Sequence, residues 1–160
     1  LKMNLPNATI YSCDISVEAL KVAEKNAAHF NTSIELLQLN FLDKKQQALL
    51  PVFDIIVSNP PYVPEQNSHT MHANVLQYEP ATALFVPDDD PLIFYSAIAE
   101  FGKNHLSKTG AIYAEIHEDL GKATREFFQS TGYLVTLKKD MQGKDRMIKA
   151  LKIPDTQKDA

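Results

Sequence analysis

Runs of apolar and β-branched residues alternate with amphipathic stretches along most of the chain. The apolar runs predict strands, and the stretches between them repeat their apolar residues at helical spacing. Because strands alternate with helices, the pattern indicates an α/β fold with a mostly parallel sheet and a closing antiparallel hairpin. The predicted strands span residues 9–13, 34–39, 53–58, 110–117, 133–138 and 147–153, and the predicted helices begin at Ser16, Asp90 and Glu118.

Two of these elements allow packing predictions. The run Ile55-Ile56-Val57 has no polar interruption, which is typical of a central strand buried on both faces. Cys13, in the first strand, is expected to be a small core residue. Ser16 should cap the first helix. The helix face expected to pack inward carries Leu20, Ala23, Ala27 and Phe30.

Residues 63–90 form a long polar connection that contains several prolines. Connections of this length are usually functional or disordered. Its last three residues, Asp88-Asp89-Asp90, precede Pro91 and are expected to cap the following helix. His69 and His72 have no cysteine or third histidine at ligand spacing, so no metal site is expected.

Composition and charge are those of an ordinary globular domain. The chain has 160 residues, 44% hydrophobic and 22% charged, which excludes collagenous, coiled-coil and wholly disordered classes. Its net charge of −4 argues against nucleic-acid binding, which asks for a basic face. The single cysteine excludes an intramolecular disulfide and suits a reducing compartment. The apolar runs are too short to span a membrane, so we expect a cytoplasmic protein.

Asp14 lies at the carboxyl end of the first predicted strand, just before a capped helix. In an open α/β sheet this is the usual place for a carboxylate that accepts hydrogen bonds from the two ribose hydroxyls of a nucleoside. An aspartate in this position can also serve only as a turn or helix cap. From this residue alone both interpretations remain open.

The tetrapeptide Asn59-Pro60-Pro61-Tyr62 follows the apolar strand 53–58 and is a far more specific signal. The prolines fix the backbone and remove two hydrogen-bond donors. What remains is a rigid set of acceptors, the Asn59 side-chain oxygen and the Pro60 carbonyl, with the Tyr62 ring beside them. Two acceptors can hold the hydrogens of one planar amino group and orient its nitrogen toward an electrophile. A structural proline turn is the alternative interpretation.

These residues resemble a known family. The segments Asp-Ile-Ile-Val-Ser-Asn-Pro-Pro-Tyr-Val at 54–63, Tyr-Glu-Pro-Ala-Thr-Ala-Leu at 78–84 and Asp-Ile-Ser at 14–16 closely resemble the HemK/PrmC-type S-adenosylmethionine-dependent methyltransferases. Members of this family modify the glutamine of the Gly-Gly-Gln loop in peptide-chain release factors. The resemblance implies a Rossmann-like class I methyltransferase sheet, S-adenosyl-L-methionine as cofactor and a release factor as protein substrate, with no membrane partner.

The resemblance also implies roles for individual positions. Asp14 would hold the cofactor ribose. Asn40 and Phe41 would lie beside the adenine, with Asn40 in place of the family's commoner acid. In the motif, Asn59 and Pro60 would bind the substrate amide at the catalytic centre and Tyr62 would wall the pocket. The residues expected to bind substrate are Asn59, Pro60, Pro61, Tyr62 and Glu79, of which Glu79 organises the long loop, and Asn59 also borders the cofactor.

One part of the family pattern has no counterpart in the sequence. The first strand and the glycine-rich loop that follows it would lie upstream of Leu1. We therefore expect residues 1–153 to be a partial methyltransferase domain that binds the cofactor weakly. A gap should lie between the strands at 9–13 and 53–58 unless those strands close up or another chain fills it. Residues 154–160 are expected to be a flexible tail.

Two alternatives to release-factor methylation remain. An acceptor set of this kind would also suit the amino group of adenine or guanine in DNA or ribosomal RNA. The chain could also be a non-catalytic fragment. Glu115 and His117, at the end of the strand 110–117, are expected to line the pocket, but neither is needed as a base, because the methylated amide can lose its proton to water.

Overall fold

The computed structural model describes residues 1–70, 77 and 80–153, and it divides the chain into two compact units. The first unit comprises residues 1–50, and the second begins at Pro51. The first unit carries one two-stranded sheet, and the second carries a four-stranded and a two-stranded sheet. No helix among the described residues is long and apolar enough to cross a membrane.

The first unit is a small β–α–β arrangement. Its strands β1 and β2 pair in parallel, with Asp14 opposite Gln38 at their carboxyl ends. The Ser16 hydroxyl accepts a hydrogen bond from the Ala19 amide at 3.2 Å, which confirms the predicted helix cap. The elements in chain order are β1 (Tyr11–Asp14), α1 (Val17–His29), β2 (Glu35–Gln38) and α2 (Lys44–Gln47).

The burial predicted for the first unit is only partly correct. Leu20, Ala23 and Ala27 lie on the half-buried face of α1, as predicted. Phe30 is 51% exposed and Cys13 is also exposed, so both were wrongly predicted to pack inward. Because a sheet of two strands offers little surface, it covers the middle of one helix face and leaves the helix end and strand edge in solvent.

The second unit is built on a four-stranded mixed sheet in the order β3-β6-β8-β7. Strands β3 and β6 are parallel, and β8 runs antiparallel to both β6 and β7, which confirms the closing hairpin. The elements of this sheet and its helices are β3 (Phe53–Ser58), α4 (Ile93–His105), β6 (Leu106–Glu115), the 3₁₀ turn η2 (Glu118–Leu120), α5 (Gly121–Ser130), β7 (Tyr133–Lys139) and β8 (Asp145–Lys152).

The long connection after β3 also contains regular structure. A two-stranded parallel sheet joins Val63 to Phe85 and Pro64 to Val86. The elements are β4 (Val63–Pro64), the 3₁₀ helix η1 (Glu65–Thr70), α3 (Ala81–Leu84) and β5 (Phe85–Val86). The predicted cap at the following helix is wrong, because α4 begins two residues later with Leu92 as its N-cap. Asp88 instead accepts a hydrogen bond from the Gln66 amide at 2.9 Å.

The core of the second unit lies between its helices and one face of the four-stranded sheet. Tyr95 and Ile98 on α4 and Phe128 on α5 are almost fully buried, as are Ile112 on β6 and Ile148 on β8. The next residue along β6 after Ile112 is Tyr113, which is 39% exposed on the opposite face. Successive side chains of a strand point to opposite faces, so one face of this sheet is packed and the other is open.

The predicted burial of β3 on both faces is wrong. Ile55 and Val57 are 53% and 58% exposed, and Ile56 is half-buried. Among the described residues, β3 pairs only with β6 and is an edge strand. The sheet face to which Ile55 and Val57 point is the open one, since Val57 lies opposite Tyr113. Strand β1 belongs to the sheet of the first unit and β3 to a sheet of the second, and the expected gap between them stays a prediction.

Candidate active site

The motif Asn59–Tyr62 forms the loop that leaves the carboxyl end of β3. Pro60 is buried, Pro61 and Tyr62 are half-buried, and Asn59 is exposed. Among the described residues, no hydrogen bond engages the Asn59 side chain. The buried proline anchors the loop, and the asparagine side chain lies at the surface.

This loop lines an open pocket of about 590 Å³. All four motif residues contribute to it, so the structure brings Asn59, Pro60, Pro61 and Tyr62 together as predicted. His117, from the segment after β6, lines it as well. The remaining lining residues are Val63, Asn67, Ala83, Leu84, Glu118, Asp119, Lys144 and Arg146.

Tyr62 is held from the neighbouring strand. Its hydroxyl donates a hydrogen bond to Glu115 Oε1 at 3.0 Å. Its ring and the His117 ring form an edge-to-face contact, with centroids 5.9 Å apart and planes at 69°. Burial raises the pKa of the Tyr62 phenol, and the hydrogen bond to the Glu115 carboxylate raises it further. Tyr62 is therefore a neutral hydrogen-bond donor with its ring fixed in the pocket wall.

A cluster of charged side chains forms another part of the wall. The Lys144 ammonium lies 2.7 and 2.9 Å from the two carboxylate oxygens of Glu118. Arg146 donates through Nε to Asp140 Oδ2 at 3.2 Å, and its Nη2 is 3.6 Å from Glu118. The hydrogen bond from Lys144 lowers the pKa of Glu118. Two acids and two bases thus neutralise one another beside the motif.

Sequence reasoning missed this cluster. Glu118 follows the predicted strand end, whereas Asp140, Lys144 and Arg146 lie in the turn and strand of the closing hairpin. The one local signal was the alternation of acids and bases around Gly143, whose φ of +81° marks a tight turn. Nothing in the sequence connects that turn with a motif more than seventy residues earlier.

The first unit places its predicted residues at one edge of its sheet. Asp14 ends β1, and Asn40 and Phe41 come just after the parallel strand β2. Asp14 Oδ1 accepts a hydrogen bond from the Ser16 amide at 2.8 Å, whereas Oδ2 has no hydrogen-bond partner among the described residues. The Asn40 side chain accepts from the Leu42 amide at 3.0 Å. Asp14 therefore caps a turn through Oδ1, and its ligand-binding role stays a prediction.

Other predicted positions lie outside the described residues. Glu79, His72 and the tail at 154–160 all belong to this group. The described residues contain no cluster of three or more histidine, cysteine or acidic side chains that could hold a metal ion.

Comparison with protein families matches the first half of the chain to a methyltransferase domain. The sequence profile of the methyltransferase small domain matches residues 1–85, which include both Asp14 and the Asn59–Tyr62 motif.

Proteins with similar sequences are named as methyltransferases. The release factor glutamine methyltransferase of Flavobacterium psychrophilum is 46% identical over 93% of this chain and 52% of its own length. That of Bacteroides thetaiotaomicron is 42% identical over 94% of this chain and 54% of its own length. A bifunctional methyltransferase of Rickettsia felis is 37% identical, over 92% of this chain and 28% of its own length. The chain spans about half the length of the first two.

Solved structures agree on the fold. A methyltransferase from Pyrococcus furiosus superposes with a TM-score of 0.64 at 17% identity, over 92% of this chain and 64% of its own. A putative methyltransferase from Streptococcus mutans in complex with SAH gives 0.59 at 14% identity, over 91% and 76%. At such low identity the likeness concerns the fold alone, and it confirms the predicted Rossmann-like α/β architecture.

Proposed function

Because the chain belongs to the methyltransferase small domain family, we propose that it transfers a methyl group from S-adenosyl-L-methionine to a glutamine side-chain amide nitrogen. The glutamine would be that of the Gly-Gly-Gln loop in a peptide-chain release factor. Relatives at 41–46% identity over most of this chain are named release factor glutamine methyltransferases, which supports this substrate. The protein would then act on translation termination.

The exposed Asn59 amide at the mouth of the pocket, beside a buried proline, is the observation that carries this proposal. An amide nitrogen is a poor nucleophile because its lone pair is delocalised into the carbonyl group. We expect Asn59 Oδ1 and the Pro60 carbonyl oxygen to accept its two hydrogens. Those bonds orient the nitrogen and favour the localised lone pair as charge develops in the transition state.

Tyr62 would form the wall against which the amide plane lies. Its ring borders the pocket and its hydroxyl already has an acceptor in Glu115. A flat aromatic face next to a planar amide excludes water and limits rotation of the bound group. No side chain need act as a base, since the methylated amide is acidic enough to lose its proton to water.

The edge of the first unit's sheet suits the adenosine part of the cofactor. Asp14 Oδ2 is an exposed carboxylate oxygen that can accept hydrogen bonds from ribose hydroxyls. Phe41 would offer an apolar surface to the adenine and Asn40 a polar one. When bound, S-adenosyl-L-methionine supplies the electrophilic methyl group.

Mass spectrometry of a release factor incubated with the full-length protein and cofactor tests the proposal. Wild-type protein should add one methyl group to the Gly-Gly-Gln glutamine, and Asn59→Ala should reduce the rate by about 100-fold or more. Asn104→Ala, on the exposed surface of α4, is the matched control and should retain activity. A release factor with that glutamine replaced by alanine should gain no methyl group.

Three results would contradict the proposal. Transfer of labelled methyl groups to DNA or ribosomal RNA, but not to release factor, would favour the nucleic-acid alternative. Methylation of the glutamine by Asn59→Ala at the wild-type rate would exclude the motif as the amide-binding site. If none of these substrates receives a methyl group, the result would favour the non-catalytic alternative.

A further inference from the structure

We propose that Glu115 is a positioning residue that holds the Tyr62 ring in the pocket wall and so sets the plane in which the substrate amide binds. This inference rests on the proposed methyl transfer. It extends that proposal to a residue of a different strand, fifty-three positions from Tyr62.

The parallel pairing of β3 and β6 brings the two residues together. Ser58 at the end of β3 lies opposite Ala114, so Glu115 is one residue beyond the last pair. The chain leaves β3 through the motif and returns Tyr62 over the end of β6. There the tyrosine hydroxyl donates to Glu115 Oε1 at 3.0 Å.

The main chain of Glu115 is itself held on two sides. Its carbonyl oxygen accepts a hydrogen bond from the hydroxyl of buried Tyr95 at 3.0 Å. On the other side it pairs with Met147 of β8. The carboxylate that receives Tyr62 is therefore presented from a rigid strand end rather than from a loop.

Tyr62 needs such an anchor. The prolines before it restrict the backbone, but its ring can still turn about the side-chain torsions. The hydrogen bond at the hydroxyl fixes the end of the ring farthest from the backbone. Contact with the His117 ring, at 5.9 Å between centroids, limits movement on another side.

Loss of the contact between Glu115 and Tyr62 should affect the chemical step more than substrate binding. Asn59 and Pro60 would still accept the amide hydrogens if the ring turned away, so substrate affinity should change little. The nitrogen would be held less accurately for attack, and a displacement of about 1 Å can cost on the order of 100-fold in rate. Loss of the Glu115 contact should therefore lower kcat more than it raises KM.

Kinetics of the full-length protein with release factor test this separation. Glu115→Leu should lower kcat about 10-fold to 100-fold with KM within about threefold of wild type. Glu115→Gln retains an acceptor oxygen and should recover most of the rate. The double variant Tyr62→Phe/Glu115→Leu should be no slower than Tyr62→Phe alone, because both changes remove the same contact. Glu126→Leu, on the exposed surface of α5, is the control for replacing a glutamate with leucine.

A spectroscopic measurement tests the contact without requiring activity. The tyrosines are labelled with ¹³C at Cζ, the ring carbon that bears the hydroxyl, and are followed by NMR. The Tyr62 signal is identified as the one that the Tyr62→Phe spectrum lacks. Its titration midpoint should fall in Glu115→Gln, since a neutral acceptor no longer opposes ionisation of the phenol.

The outcomes separate the two proposals. An unchanged Tyr62 titration in Glu115→Gln, or additive rate losses in the double variant, would overturn the positioning role. A wild-type protein that never methylates glutamine would instead overturn the proposed function, while the titration would still report whether Glu115 holds Tyr62. If Glu115→Leu does not fold, Tyr62→Phe, which removes the same hydrogen bond, tests the effect on kcat and KM, and Glu115→Gln tests the Tyr62 titration.

Discussion

The hydroxyl of Tyr95 donates a hydrogen bond to the backbone carbonyl of Glu115 across 3.0 Å. Tyr95 lies on α4 and is fully buried, so this bond joins the helix layer to the strand end beside the pocket. Burial raises the pKa of Tyr95 well above its ordinary value, which keeps the phenol protonated as a donor. This hydrogen bond therefore connects the packed core to the candidate site.

Removing that hydroxyl should destabilise the second unit. Tyr95→Phe leaves the Glu115 carbonyl without its buried donor, and a buried unsatisfied polar group costs about 1–3 kcal/mol. The free energy of unfolding, from urea denaturation followed by circular dichroism, should fall by that amount. Tyr113→Phe is the matched control, since Tyr113 is 39% exposed, and it should change stability by less than about 0.5 kcal/mol. Equal losses in the two variants would contradict the role of the buried bond.

Asp14→Asn should weaken cofactor binding without unfolding the first unit. Asparagine keeps the acceptor oxygen for the Ser16 amide but replaces the second carboxylate oxygen with a donor. Loss of hydrogen bonds to a charged acceptor costs about 1.5–3 kcal/mol, which is roughly 10-fold to 100-fold in affinity. Isothermal titration calorimetry of the full-length protein with S-adenosyl-L-methionine measures it.

Ser16→Ala serves as the control for that experiment. It removes the hydroxyl that caps α1 and should cost about 1 kcal/mol of stability. The cofactor affinity of the folded protein should stay close to wild type. Equal affinity losses in Ser16→Ala and Asp14→Asn would mean that Asp14 acts only through the local turn.

Asn59→Asp should retain more methyl transfer than Asn59→Ala. A carboxylate still presents an acceptor oxygen to the amide hydrogens, whereas alanine presents none. We expect a rate between those of wild type and Asn59→Ala, measured by mass spectrometry of the modified glutamine. An Asn59→Asp protein as slow as Asn59→Ala would indicate that the asparagine NH₂ group, rather than its oxygen, is required.

The charged cluster at the hairpin turn predicts a pH dependence of stability. Hydrogen bonds from the Lys144 and Gln142 amides and from Arg146 lower the pKa of Asp140 in the folded protein. A carboxyl group with a lowered folded-state pKa contributes stability above its ordinary pKa near 4, and loses that contribution as the pH falls through the lower value. Protonation of Asp140 should therefore weaken the hairpin turn in acid.

Asp140→Asn tests this dependence. The variant keeps an acceptor for the turn amides and loses the ion pair with Arg146. Its melting temperature should lie below that of wild type at pH 7, and the difference should shrink toward zero in acid. Asp89→Asn, at an exposed position, should show no such convergence. A melting difference that stayed constant from pH 7 to about pH 2 would rule out the ion pair as its cause.

Several features of the fold and the site were predictable because their causes are local. The helix cap depends only on the Ser16 hydroxyl and the backbone amide of Ala19, three residues later. The prolines of the Asn59–Tyr62 loop restrict its backbone by themselves. Strand β3 was predicted with its observed bounds, Phe53–Ser58, from the run of β-branched residues. Parallel strands then place their ends, and the residues that follow them, at one edge of a sheet.

Burial was less predictable because it depends on what lies against each side chain. Ile55, Val57 and Phe30 are apolar and were expected inside, yet each is more than half exposed. The pattern of apolar residues indicates which side chains favour burial, but not which surface packs against each of them. Ile112 and Val57 are both strongly apolar. Ile112 lies on the sheet face that the helices cover, whereas Val57 lies on the open face.

What the sequence by itself determined is the chemistry of the two strand ends: a carboxylate at Asp14, and the acceptors of Asn59 and Pro60 held on prolines. These follow from residue type and from spacing over a few positions. Only the tertiary structure decided that Tyr62 donates to Glu115 and that Arg146 and Glu118 border the same pocket. Those contacts arise from the pairing of β3 with β6 and of β6 with β8, and strand pairing is set by the packing of the whole sheet rather than by any local signal.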